Sequence, residues 1–454
     1  MDKYLSRSID QALLEWKDNP RRKPLLVRGA RQVGKSSTIR HLGKNFKYFL
    51  EVNVERNPEV MEFFKGSRDV KSIAAKLSDF FNVPVVPGET LLFLDEIQKC
   101  EDVIHSLWFF KEDYPELHVI AAGSLLEFAL KNLSSFGVGR VSSLFVYPMS
   151  FDEFLTATRQ EGLLRIKRNS SPTNPLPEAF YNRLVEAFRS YMLVGGMPEA
   201  VATYTETESY RYSSDIVNEI IQGYQDDFAK YGAKANPLLL RQTLISVAHQ
   251  AGAKFVCSRV EGQYRSAEVK VALEMLKDAG LIIPTYHTDA NGVPLGAEIN
   301  ERVVKYLIHD TGVLLGILGI DDDIDERIKE MMVADSIDLV DKGHVAEMMA
   351  GLELIKYSSP QTRHQLYYWQ NMNKGTCAEV DYVIARSGSI VPIEVKSGVK
   401  GSMSSMYSLM RNPQKHIEMG IRCSLENFGT FASPDGKKID IIPLYAISNL
   451  FAEK

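Results

Sequence analysis

Apolar and polar positions follow different rhythms in different parts of this chain. Leu5, Ile9 and Leu13 recur every four residues, which predicts an amphipathic helix starting near Asp2 and stopped by Asp18-Asn19-Pro20. Short apolar runs then alternate with helical segments: Pro24-Leu25-Leu26-Val27, Tyr48 to Val52, Leu91 to Leu94, His118 to Ala122, and Leu144-Phe145-Val146. Runs that are apolar on both faces and alternate with helices predict a parallel sheet covered on both sides. The alternation ends near Phe154, and the polar stretch from Arg165 to Pro175 reads as a linker. A mainly helical region follows from about Pro177 to 285, broken at Val194-Gly-Gly-Met-Pro198. Within it, Ser266 to Ala279 places Val269, Leu273 and Leu276 on one face, Gly280 closes the helix, and Leu281-Ile-Ile-Pro opens a strand. Helices followed by a short strand pair predict a winged helix-turn-helix. Asp321 to Asp325 reads as a solvated acidic turn, and the region from about Gly343 reads as a helix followed by a β-rich stretch through Ser397.

Length and composition narrow the picture without changing it. The chain has 454 residues, which suggests about three domains. With 45% apolar and 24% charged residues it has material for several cores. A net charge of -5 excludes a strongly basic nucleic-acid coat but leaves room for a local basic groove. Cys100, Cys257, Cys377 and Cys423 form no CxxC or Cys/His cluster, so neither a zinc site nor a disulfide framework is expected. The N-terminus has no apolar signal core, and the longest apolar stretch, Gly312 to Ile320, is too short to cross a bilayer. The expectation is a cytoplasmic protein with no membrane partner.

The sharpest chemistry lies between the first strand and its helix. Gly29-Ala30-Arg31-Gln32-Val33-Gly34-Lys35-Ser36, with Ser37 behind it, fits GxxxxGK[ST] at every fixed position. Glycines let the backbone N–H groups wrap around phosphates, and the helix N-terminus adds partial positive charge. Lys35 is expected to reach the β and γ phosphates of ATP, and Ser36 to ligate Mg²⁺. Leu91-Leu-Phe-Leu-Asp95-Glu96 places an acidic pair at the carboxyl end of a buried strand, where ligands of open α/β sheets bind. Asp95 is expected in the Mg²⁺ shell and Glu96 as the base for the attacking water. Ser124, after the fourth strand, is a candidate for contacting the γ-phosphate or that water, or for capping the next helix. Arg140 is a candidate arginine finger for a nucleotide in this or a neighbouring subunit, or else a surface arginine.

Residues 1 to about 155 resemble the ATPase module of a widespread prokaryotic family of predicted AAA+ superfamily ATPases. The resemblance rests on Leu13-Leu14-x-Trp16, Pro24 to Ser36, Leu94-Asp-Glu-Ile-Gln98, Ala122-Gly-Ser124, Gly139-Arg140 and Tyr147-Pro-Met-Ser-Phe-x-Glu-Phe154. It implies a five-stranded AAA+ core and a C-terminal part, of unknown function, with a winged helix and a nuclease-like fold. Ser36 stands where Thr is commoner, a change that keeps the hydroxyl.

A second constellation lies near the C-terminus. Glu379 to Ile384 and Ile390 to Lys396 read as a hairpin; Glu394 and Lys396 share a face, and Asp381 can face them across it. Glu347 lies upstream on a predicted helix, Val345 to Leu354. Three carboxylates and a lysine suit metal-dependent phosphodiester cleavage. The pattern Glu347, Asp381, Glu394-x-Lys396 is similar to that of PD-(D/E)XK nucleases, although Val380 replaces the usual Pro before Asp381. A charged sheet face, or a nuclease fold retained for binding, is the alternative. The candidate recognition helix mixes Arg265, Lys270 and Lys277 with Glu268, Glu274 and Asp278, so it carries no basic stripe.

The sequence therefore predicts an α/β protein. An AAA+ P-loop NTPase domain with a parallel five-stranded sheet occupies 1–160. A helical and winged-helix region follows at 177–310, and an α/β restriction-endonuclease-like domain at 335–454. The expected function is a Mg-dependent, ATP-binding ATPase acting as a switch or motor coupled to the winged-helix and nuclease-like domains on DNA; a protein partner and homo-oligomers are candidates, and no membrane partner is expected. The alternatives are an ATP-sensing regulator that cuts nothing and a scaffold with a degenerate nucleotide site; intact Lys35, Ser36, Asp95 and Glu96 argue against the last.

Overall fold

The computed structural model describes residues 4–132, 139–231, 236–319, 342–371, 378–398 and 401–451. The acidic segment Asp321 to Asp325, Cys377 and Val138 lie outside the described residues. Five strands, β1 (Leu25–Arg28), β2 (Tyr48–Asn53), β3 (Thr90–Asp95), β4 (His118–Ala122) and β5 (Ser142–Phe145), form one sheet in the order β2-β3-β4-β1-β5. Every pairing in it is parallel. The apolar runs have a direct cause. Leu25, Val27, Leu91, Phe93, Ile120 and Ala122 enter one core, and Leu26, Leu92, Leu94, Val119 and Ala121 enter another on the opposite face. Each leucine, valine, isoleucine or phenylalanine among them contributes roughly 1.5–3 kcal/mol by leaving water, so a polar residue at one of these positions would cost stability.

The first helix, α1 (Ile9–Asp18), starts well after Asp2 and stops where Asp18-Asn19-Pro20 predicts. Its delay follows from Arg7. The Arg7 backbone N–H donates to Asp10 Oδ2 at 2.8 Å, while the guanidinium reaches away to the carbonyls of Val33 and Tyr147. The expected linker is also corrected. Arg165 to Arg168 is the last turn of a helix, Glu161–Arg168, and a bridge between Ser171 and Asn174 follows it. Lys167 made this stretch look solvated, but its side chain is wholly buried against Asp152.

Beyond the sheet come the helices Glu178–Val194, Pro198–Thr207 and Tyr210–Asp227. The break at Gly195-Gly196 is a close crossing. A Cβ on Gly195 would lie 2.3 Å from Asp310 Oδ1, and one on Gly196 would lie 2.2 Å from the Met149 carbonyl oxygen. Asp310 accepts from the Gly196 N–H at 2.6 Å, and Gly196 accepts from the Met149 N–H at 2.6 Å. The helices Pro237–His249 and Ser266–Asp278 lead into β6 (Ile282–Thr288) and β7 (Ile299–Ile308), an antiparallel pair.

The helix Lys342–Lys356 precedes β8 (Leu366–Gln370), which joins β6 in parallel, and β9 (Glu379–Val380), which pairs with β8. The rest is a mixed sheet of β10 (Tyr382–Arg386), β11 (Ser389–Val395), β12 (Met419–Ser424), β14 (Lys438–Pro443) and β13 (Gly429–Ala432), in that spatial order. A helix, Ser404–Arg411, lies between the parallel strands β11 and β12 in the chain.

Buried polar groups stitch this last part to the first. Asp152 is held by Lys167, Arg168 and the Tyr357 hydroxyl, and Glu353 accepts from Tyr191 and from the Phe151 N–H. The positive neighbours keep the Asp152 carboxyl below its usual range despite its burial. Among the described residues no helix is long and apolar enough to cross a membrane.

Candidate functional site

The loop after β1 is shaped by two glycines. Gly29 has φ 146°, and a Cβ there would sit 2.1 Å from the Val146 carbonyl oxygen, so only glycine lets the chain leave β1 past β5. Gly34, at φ 93°, opens α2 (Lys35–Gly43) and aims its first N–H groups into the loop. Inside the loop, the Lys35 ammonium donates to the carbonyls of Gly29 at 2.9 Å and Ala30 at 2.6 Å. Burial pushes Lys35 down to about 8, against the pull of Glu96 and Asp95. The loop thus holds a desolvated cation whose neutral acceptors an anionic phosphate would outcompete.

Asp95 ends β3 beside this cation. Its Oδ2 accepts from Ser36 Oγ at 3.2 Å and from Asn53 Nδ2 at 3.5 Å, and its Oδ1 accepts from the Glu96 N–H at 3.0 Å. Burial, with Glu96 adjacent, raises the Asp95 carboxyl above its usual range. A serine hydroxyl and a carboxylate this close form a hard, all-oxygen donor set of the kind that would suit Mg²⁺.

Glu96 adopts the left-handed region at φ 54°, which swings its carboxylate toward the end of β4. There Oε2 accepts from the Ser124 N–H at 3.3 Å and from the Ser124 hydroxyl at 3.1 Å. Gln98 Nε2 also donates to it at 2.5 Å. A Cβ on Gly123 would lie 2.0 Å from Gln98 Oε1, so the Ala122-Gly-Ser124 turn is fitted to this glutamine. Ser124 therefore orients Glu96.

The structure brings Gly29 to Ser37, Asp95, Glu96 and Ser124 to one rim of the sheet. Arg140 is not brought there. It precedes β5, whose Ser142 pairs with Leu25 at the start of β1, whereas the phosphate loop follows Arg28 at the other end. Arg140 instead donates to Glu112 at 2.5 Å and stacks 4.1 Å above the Trp108 ring. A role in its own subunit's nucleotide site is thereby corrected.

Several neighbours of the loop carry no sequence signal. Arg7 donates to the Val33 carbonyl at 3.0 Å and the Tyr147 carbonyl at 2.7 Å, and its Nε lies 3.1 Å from Glu153. Glu153 also closes a capping box with Ser150, which gives the Tyr147 to Phe154 motif a positioning role. Arg31 is paired with Asp227 at the end of the helix Tyr210–Asp227, and the Tyr224 hydroxyl donates to the Arg31 carbonyl at 3.1 Å. Gly280 packs against Ala30, where a Cβ would approach the Ala30 nitrogen to 3.1 Å. Only a contact map, and no local pattern, could have revealed partners 140 to 250 residues apart. A cavity of about 300 Å³ opens beside Gly29, Ala30 and Ser124, walled on its far side by Lys277, Gly280 and Arg363.

The C-terminal candidates are also close together, but differently from the expectation. Lys396 Nζ lies 2.7 Å from Glu394 Oε1, and Asp381 Oδ2 accepts from the Val395 N–H at 2.7 Å. Asp381 falls between β9 and β10. Burial raises Glu347 to about 8 and Glu394 to about 7, with Asp381 adding to both. Yet Glu347 is bonded to Lys305, from β7, at 2.8 Å. Among the described residues no group of three or more His, Cys, Asp or Glu side chains is arranged to hold a metal ion. The acids present do not fit a metal in this arrangement.

Residues 21–155 match the AAA domain family AAA_14. Residues 185–324 and 342–447 match two domains of unknown function, DUF8612 and DUF4143. No curated protein matches the chain. Among solved structures, the chain is similar to the Walker-type ATPase PABY2304 of Pyrococcus abyssi at 17% identity, covering 69% of this chain and 96% of that one, with a TM-score of 0.44. It is also similar to the Aeropyrum pernix ORC1 protein, solved in complex with DNA, at 12% identity, covering 74% and 94%, with a TM-score of 0.29. With its AAA domain, the chain is an ATP-binding ATPase.

Proposed function

We propose that this ATPase is a nucleotide-driven switch in which ATP and Mg²⁺, bound at Gly29 to Ser37, set the position of the segments that follow. Lys35 exchanges its two carbonyl acceptors for the β and γ phosphates. Ser36 and Asp95 hold Mg²⁺, which when bound neutralises phosphate charge. Glu96, oriented by Ser124, takes the proton of the attacking water.

The observation that carries the coupling is the Arg31–Asp227 pair: a residue of the phosphate loop is bonded to a helix of the 177–310 region. An arriving phosphate competes with Asp227 for the same guanidinium. Gly280 against Ala30 makes a second contact of the same kind. Supporting the rest of the reading, two helices followed by an antiparallel pair suit a winged helix in 177–310. The order of helix, strands and crossover helix in 335–454 suits a nuclease-like fold. DNA is the partner proposed for these regions.

Hydrogen exchange of the chain with and without ATP tests the coupling. Protection along Tyr210–Asp227 is expected to change when ATP binds; identical exchange there would overturn it. Stimulation of ATP turnover by DNA is expected. A second reading, an ATP-sensing regulator that cuts nothing, is favoured by one observation: the missing metal arrangement among the described acids. Divalent-dependent cleavage of DNA that Asp381→Ala abolishes would exclude it.

A further inference from the structure

Gln98 closes the run Leu94-Asp-Glu-Ile-Gln98, and its place in the sequence assigns it no chemistry. It lies in the 3₁₀ turn Ile97–Lys99, which starts directly after Glu96. The turn is fixed at both ends: the Ile97 side chain is fully buried in the core, and the Lys99 N–H donates to the Glu96 carbonyl at 3.2 Å. Within it the side chains of Glu96 and Gln98 meet, with Gln98 Nε2 2.5 Å from Glu96 Oε2. Gly123 closes the far side of the amide, where a Cβ would lie 2.0 Å from Gln98 Oε1 and 3.1 Å from Cδ. The amide is thus held between Glu96 and the loop after β4.

The hydrogen bonds are divided unevenly between the two oxygens of Glu96. Oε2 accepts from Gln98 Nε2, from the Ser124 N–H and from the Ser124 hydroxyl. Among the described residues nothing donates to Oε1. Three donors on one oxygen leave it no lone pair for a further proton, so Oε1 is the atom free to take one from water. The Gln98 amide keeps this arrangement at a cost, because its own Oε1 is buried without a donor. Turning the amide over would set that oxygen against the Glu96 carboxylate. The Ser124 hydroxyl is also a candidate for the γ-phosphate, so Gln98 supplies the side-chain donor that serves Glu96 alone.

We infer that Gln98 is a positioning residue for ATP hydrolysis: it pins Glu96 Oε2 and so leaves Oε1 turned to the attacking water. Gln98 acts only through Glu96, and the inference rests on the reading of Glu96 as the base. The charged neighbours of Glu96 cannot replace this donor. Asp95 is itself an acceptor, and Lys35 is spent on the carbonyls of Gly29 and Ala30. The left-handed backbone of Glu96, at φ 54°, gives the anchor a further purpose, since such a conformation persists only where its surroundings hold it.

The test is steady-state ATP turnover by Gln98→Met and Gln98→Glu in the full chain. Methionine fills a similar volume and donates nothing, while glutamate keeps the shape and sets an acceptor against Glu96 Oε2. Gln98→Met is expected to lower kcat about tenfold with KM for ATP unchanged, because only the orientation of the proton acceptor is lost. Gln98→Glu is expected to lower kcat further. Adding Gln98→Met to Glu96→Gln is expected to slow turnover no more than Glu96→Gln alone, since residues that act as a unit are not additive. Wild-type kcat in Gln98→Met would overturn the inference, as would full additivity in the double variant or a change confined to KM. If Gln98→Met does not fold, Gln98→Glu decides: slowed kcat at unchanged KM supports the inference, and wild-type kcat overturns it. Glu96→Gln alone separates the inference from the reading beneath it. Wild-type turnover there removes the base itself, whereas slow Glu96→Gln beside wild-type Gln98→Met removes Gln98 only.

Discussion

Replacing Lys35 by alanine separates what the phosphate loop does for folding from what it does for binding. In the nucleotide-free protein the ammonium is almost wholly buried and satisfied only by the neutral carbonyls of Gly29 and Ala30. Two neutral-acceptor bonds contribute about 1–1.5 kcal/mol each, or somewhat more to a charged donor, while removing an ammonium from water costs several kcal/mol. Lys35→Ala is therefore expected to leave the stability of the nucleotide-free chain unchanged or slightly raised. With ATP the balance reverses. Charge-assisted bonds to phosphate are worth roughly 1.5–3 kcal/mol each, and losing two of them, net of the carbonyls given up, amounts to about 2 kcal/mol. That corresponds to a dissociation constant weaker by about 30-fold. Calorimetry of ATP binding and urea unfolding without nucleotide measure the two effects. ATP affinity unchanged in Lys35→Ala would refute the assignment of the loop. A chain that loses several kcal/mol of stability without nucleotide would refute the view of Lys35 as a charge held at a cost.

Two further outcomes follow from the buried charges. Lys167→Met strands Asp152 beside Arg168 and Tyr357; breaking such a pair is expected to destabilise by about 3 kcal/mol, seen as a lower urea midpoint, and Asp152→Asn added to it is expected to recover part of the loss. His118, whose Nε2 lies 3.1 Å from the Lys17 carbonyl, is held down to about 4 by burial and by Arg22. The unfolded chain then takes up a proton that the folded chain refuses, so stability is lost as pH falls from about 6.5 towards 4. Acid titration of His118→Gln is expected to show a shallower loss over that window than the wild type; identical slopes would remove His118 from the acid response.

The ATPase end of the chain is legible because its signals are local. Gly29 to Ser36 is one contiguous turn, and β3 with Asp95-Glu96 reads as an apolar run with an acidic stop because both faces of the sheet are buried. Even the displacement of Arg140 was available: a residue that precedes a strand of a parallel sheet lies on the rim opposite a loop that follows one. What stayed hidden was charge placed where charge is rare. Lys167 made a helix look like a linker, and Lys305 carries no signal of its own in the sequence. Their partners lie 15 to 74 residues away, and nothing in the local pattern separates a buried paired lysine from a solvated one. Likewise Asp227, which closes on Arg31, sits in an ordinary acidic helix end.

The most direct test of the account is ATP binding and turnover by Glu96→Gln. The glutamine oxygen can still accept from the Ser124 N–H and hydroxyl, so the site keeps its shape while losing its base. ATP affinity is expected to equal that of the wild type, with turnover slowed about 10²–10⁴-fold. Wild-type turnover in Glu96→Gln would contradict it.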